Sequence, residues 1–228
     1  MGVVRTRTTL SSYIHMKIKS LFFGLCFATT TAYAANAPQA DQLLADLSRC
    51  DATFFETLGQ RVVQYSTNPY FQLNGIYGSF QVEDRRDPDT NIRTLTPSLQ
   101  LNNLEAVAYF DELSQFGNTT FLFWGFLLRA SMNDVLTATR PVIWDSQRLK
   151  AEDNIFVRSE IMDLNDKVPT WKKIATVGNQ APRVGTIERV LLIEPYEKDP
   201  RLIRFGCSIQ GTLTKELIRS ERPDIRLR

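Results

Sequence analysis

Between residues 38 and 66 the apolar positions recur at helical spacing. Leu43, Leu47, Cys50, Phe54, Leu58, Val62 and Tyr65 follow one another at gaps of three or four, the period that places side chains on one helix face. Asp41, Asp46, Arg49, Asp51, Glu56, Gln60 and Arg61 mostly fall elsewhere. The pattern predicts one long amphipathic helix with Cys50 on its apolar stripe. Asn68-Pro69 ends it, because the residue before a proline is pushed out of the helical region. A second helix is expected over Asn103 to Phe116, with Asn102 as its cap, Glu105 completing a capping box and Gly117 as its stop.

Elsewhere the period is two, or the chain is apolar throughout. Residues 70–82 favour strand, with Gly75 and Gly78 marking a bend or bulge. A charged turn follows at 83–90, then a short strand from Ile92 to Thr96. Phe121 to Ala130 is apolar on both faces, as for a central strand covered on both sides. Further strands are expected over Asp134 to Trp144, Asn154 to Leu164, Val184 to Glu194 and Arg201 to Thr212, with a weaker one at Trp171 to Val177. Pro195 to Pro200 is a turn, and Lys215 to Arg219 forms a helical turn before Pro223. The expected fold class is therefore α+β: a long N-terminal amphipathic helix and a second helix packed on a largely antiparallel β-sheet.

The N-terminus carries the anatomy of a secretory leader. Lys17 and Lys19 precede the apolar core Leu21 to Ala28, and Ala32-Tyr33-Ala34 is a small-x-small pattern that places cleavage between Ala34 and Ala35. Met16 opens a better-proportioned leader than Met1. Either translation starts there or the extension lengthens the positive region. Residues 1–34 thus read as a signal peptide with an N-terminal extension, and 35–228 as a single exported domain, periplasmic or secreted. A lipoprotein signal at Cys26 fits poorly, since Leu25 stands where a small residue is wanted.

Removing the leader changes the chemistry. His15 is the one histidine of the chain and leaves with it, as does Cys26. The leader also holds four basic residues and no acid, so the 27 basic residues fall to 23 against 25 acidic ones. No positive field remains to favour nucleic acid, and no later apolar run reaches transmembrane length. Without histidine, Ser-His-Asp and Cys-His schemes are unavailable, and two cysteines alone make a poor metal site. No metal or cofactor is expected. Cys50 and Cys207 lie far apart in sequence, unlike a Cys-x-x-Cys redox pair. In Arg201 to Thr212, period two puts Cys207 with Ile203, Phe205 and Ile209 on the apolar face. Two core-facing cysteines in an oxidising compartment predict a Cys50–Cys207 disulfide.

Carboxylates and tryptophans supply the remaining candidates. Asp87-Pro-Asp89-Thr-Asn91 opens like a calcium loop but has Ile92 where glycine belongs and Ser98 where glutamate belongs. Glu188 and Glu194 share one strand face, and strand pairing would set Arg204, Ser208 and Gln210 beside them. Such a face could bind a polar ligand or supply an acid/base pair, although alternation alone also predicts a solvated outer face. Trp124, Trp144 and Trp171 could line a groove, or pack as core. The basic excess in Lys215 to Arg228 reads as a solvated tail. The leading functional expectation is an exported, non-catalytic binding or interaction protein, such as an inhibitor, an immunity-type protein or an envelope accessory protein. Its partner would be another exported protein or a cell-envelope component. The alternatives are a carboxylate-dependent hydrolase of envelope glycans using Glu188 or Glu194, and a small-molecule carrier with a pocket between helix and sheet.

Overall fold

The computed structural model describes residues 41–174 and 181–226. The leader and its cleavage site at Ala34 and Ala35 lie outside these residues. Within them the protein is mostly β, which overturns the α+β expectation. Ten strands are present: β1 (Phe71–Asn74), β2 (Tyr77–Phe80), β3 (Ile92–Leu101), β4 (Leu104–Phe116), β5 (Thr119–Arg129), β6 (Lys150–Glu152), β7 (Ile155–Asp163), β8 (Lys172–Ile174), β9 (Thr186–Pro195) and β10 (Leu202–Gly211). β1 and β2 form a small hairpin. The other eight make one antiparallel sheet in the order β3-β4-β5-β10-β9-β7-β6, with β8 on β7. Five short helices accompany them: α1 (Gln42–Leu47), α2 (Thr53–Gln60), α3 (Val62–Tyr65), α4 (Met132–Thr139) and α5 (Lys215–Glu221).

The long N-terminal helix is replaced by α1, α2 and α3. Cys50 adopts a left-handed conformation, φ 59°, which ends a helix rather than continuing it. The Asp51 carboxylate then accepts from the Thr53 N–H at 3.0 Å and starts α2 afresh. Asp46 binds the two helices together, accepting from the Thr57 hydroxyl at 2.6 Å. The apolar period survives the break because both helices bury the same side: Leu43, Leu47, Cys50, Phe54 and Leu58 are all fully buried. Cys50 thus sits in a turn and not on a helix, and it is bridged to Cys207 with their Cα atoms 5.3 Å apart. The closed loop is long enough that the chain-entropy account gives roughly 5 kcal/mol as an upper figure.

The expected second helix, 103–116, is strand β4. Asn102, with φ 56°, is a turn residue and not a cap, and the turn pairs Leu101 with Leu104. Near Val107 the register against β5 slips, from Ala106 opposite Leu128 to Ala108 opposite Leu127. Such a bulge moves later side chains to the other face. Buried positions then fall at 104, 106, 108, 109, 110 and 111, and strict alternation is lost. Gly117 lies in the β4–β5 turn with φ 58°. A third reversal concerns 134–144, expected as strand. It contains most of α4, whose N-cap Ser131 accepts from the Asp134 N–H at 3.2 Å.

One sheet face carries the helices and the main core. Phe54 and Phe55 of α2 pack on Phe126 and Trp124, and Phe80 and Tyr109 complete an aromatic cluster. The α2 backbone touches the β1–β2 hairpin directly: a Cβ on Gly59 would stand 1.8 Å from the Ile76 carbonyl oxygen. On the opposite face the Phe110 ring lies over the cross-strand pair Gly125 and Gly206, where a Cβ would come within 3 Å of it.

Candidate functional site

A cavity of about 470 Å³ opens between α5, the ends of β4 and β5, and the segment after β2. Leu113 and Leu122 form its sheet wall, Leu213, Ile218 and Ile225 its C-terminal wall, and Val82 closes the third side. Glu83, Asp84, Arg85, Arg86 and Arg226 surround the opening. The lining is thus an aliphatic floor under a charged rim, a common build for small-molecule sites.

Local chemistry explains each wall. Leu113 and Leu122 pair across the β4–β5 ladder, so their side chains share a face. The Leu113 N–H donates to the Arg85 carbonyl at 2.7 Å and ties the 82–86 segment to β4. Helix α5 starts at Thr214, whose hydroxyl accepts from the Leu217 N–H at 3.1 Å. Glu221, at its other end, accepts from Arg189 at 3.3 Å and from the Trp171 indole at 3.2 Å. Arg222 then enters the core. It is 0 % exposed, donates to Asp111 and Asp224 at 2.9 Å, and lies against the rings of both Phe55 and Trp124. Burial works against its charge, but the two aspartates outweigh burial and hold the guanidinium above its ordinary range. Arg85 donates to the same Asp111 at 2.7 Å through Nε. The C-terminal segment is therefore an anchored wall, not the solvated tail expected from its charge.

The residues singled out from sequence lie elsewhere. The β9–β10 register sets Arg204 opposite Glu194 and Gln210 opposite Glu188, on the face away from the helices. Gln210 donates to Glu188 at 3.1 Å. Arg204 joins Glu194 at 3.8 Å and Glu112 of β4, which sequence reasoning missed, at 2.7 Å, lying flat on Phe110. Those three charges line a second cleft of about 270 Å³ with Asn91, Tyr196 and Lys198. Burial raises the Glu194 carboxyl, with Arg204 lowering and Glu112 raising it further. Burial likewise raises Glu188, against the hydrogen bond from Gln210. Six positions apart on one strand, Glu188 and Glu194 are separated by about 20 Å at ~3.3 Å per residue. That span exceeds the roughly 5–9.5 Å over which two carboxylates act on one glycosidic bond.

The three tryptophans form no shared groove. Trp124 is fully buried in the core. Trp144 stacks on Arg158, whose Nη1 donates to its carbonyl at 2.6 Å. Trp171 stacks on Arg189. Each tryptophan serves as a platform for a buried arginine: Arg222 on Trp124, Arg158 on Trp144 and Arg189 on Trp171. The Asp87 segment is a self-satisfied turn, its carboxylate accepting from the Asp89 N–H at 2.9 Å, and no group of three or more potential metal ligands occurs among the described residues. The cavity and its Arg222 anchor left no local mark in the sequence, since Asp111 and Arg222 are 111 positions apart. No family model matches the chain, and comparison with curated proteins and with solved structures finds no match either.

Proposed function

We propose that the chain is an exported, non-catalytic binding protein that holds a small amphiphilic molecule between α5 and the sheet. The observation that carries this reading is the cavity itself: about 470 Å³, floored by Leu113, Leu122, Leu213, Ile218 and Ile225 and rimmed by charge. The volume lies within the range of ligand sites, and the split between an aliphatic floor and a polar mouth matches an occupant with one apolar and one polar end. Export rests on the leader anatomy at residues 16–34, and a ligand drawn from the cell envelope is consistent with it.

Native mass spectrometry of the protein purified gently from its own compartment tests the proposal. A ligand of discrete mass should accompany the protein and be lost from an Ile218→Trp variant, in which the indole fills the cavity. An empty wild-type protein that also binds no added amphiphile would end the proposal.

A further inference from the structure

The rim of the cavity carries free hydrogen-bond donors in excess of free acceptors. The Arg86 and Arg226 side chains are exposed and make no ion pair or hydrogen bond within the described residues. Arg85 uses its Nε on Asp111, and its two terminal nitrogens make no described hydrogen bond. The acids at the rim do not match them. Asp84 turns its carboxylate back to its own loop, accepting from the Arg86 N–H at 2.9 Å. Glu83 is the one rim acid whose carboxylate makes no hydrogen bond or ion pair within the described residues.

The buried charges beneath the rim make Arg85 available. Asp111 is held twice, by Arg85 at 2.7 Å and by the fully buried Arg222 at 2.9 Å. If Arg85 turned part of its fork to an incoming anion, Asp111 would keep Arg222 and would not be left as an unpaired buried charge, the costly outcome. An arginine fork matches carboxylate and phosphate oxygens in geometry as well as in charge. The floor below is built only from leucine, isoleucine and valine. It offers no aromatic surface to stack a ring and no polar atom to read a sugar.

Resting on the pocket reading above, we infer that the ligand is an aliphatic chain ending in a single anionic head, a carboxylate or a phosphate monoester, with Arg85, Arg86 and Arg226 gathered around the head. Four probes of matched chain separate head-group choice from simple apolar burial: decanoate, decyl phosphate, decanol and decyltrimethylammonium. Isothermal titration should give at least tenfold tighter binding for one or both anions than for decanol, and weaker binding still for the cation. Added salt should weaken the anions and leave decanol unchanged. The double variant Arg86→Gln/Arg226→Gln, which touches only exposed side chains and leaves Arg85, should remove most of the anions' advantage over decanol. Whichever anion binds tighter distinguishes a fatty-acid-like from a phospholipid-like ligand. Decanol or the cation binding as tightly as both anions would overturn the head-group inference while leaving the pocket standing, as would a double variant that kept the preference. Failure of all four to bind would remove the pocket reading and this inference together.

Discussion

At the residue scale, buried charge decides most of what is unusual here. Arg222 is held by two aspartates in a site with no exposure, so removing it leaves Asp111 and Asp224 without their central cation. Arg222→Met should lose about 3–5 kcal/mol of stability, read from urea unfolding. Arg85→Met should lose less, because Asp111 retains Arg222. Glu194 behaves oppositely. Burial raises its folded-state carboxyl above the ordinary 4.5, so the folded state binds the proton more readily than the unfolded chain. The resulting stabilisation is complete below about pH 4.5 and is lost as pH rises through the raised value. Glu194→Gln should therefore melt at higher temperature than wild type near neutrality, with the difference vanishing in acid. Equal melting temperatures for the two proteins near neutrality would contradict that assignment. Little of this was visible in the sequence. The Glu188/Glu194 face could be read because β9 and β10 pair in one unbroken register, whereas Glu112 was hidden by the bulge of its strand. Arg222 resembled one more charge in a basic tail.

At the element scale the sequence could be read where one period ran unbroken. β5, β7, β9 and β10 lie close to the spans their apolar patterns predict, and Cys207 lies on the core face that alternation assigns to it. Reading failed where a single residue changed the backbone. The left-handed Cys50 divides one apparent helix without disturbing its apolar stripe, since α1 and α2 bury the same side. The slip near Val107 gives a strand a mixed pattern that passes for helical. For 134–144 the Ser131-x-x-Asp134 cap was the available mark, and apolar content outweighed it. Contact between α2 and the β1–β2 hairpin belongs to this scale as well. It depends on a bare backbone at Gly59, so Gly59→Ala should cost at least about 1–3 kcal/mol by overpacking. Chemical denaturation checks this, and an unchanged midpoint would mean that the two backbones are not in contact.

At the scale of the whole molecule, the sheet presents two faces with different work. One carries the helices, the disulfide and the aromatic core, and at its margin the α5 cavity. The other carries the Glu112–Arg204–Glu194 cleft. Every wall of the cavity comes from a different part of the chain, residues 82–86, 113, 122, 213, 218 and 225–226, which is why no motif announced it. Its permanence follows from Glu221 and Arg222, which fix the C-terminal end of α5 to Arg189, Trp171 and Asp111. Methyl chemical-shift mapping during a decanoate titration shows directly whether the α5 cavity holds the aliphatic chain. Saturable shifts should concentrate on Leu113, Leu122, Leu213, Ile218 and Ile225, with the residues around Arg204 unmoved. Shifts centred on the Arg204 cleft, or none at saturating ligand, would contradict that placement.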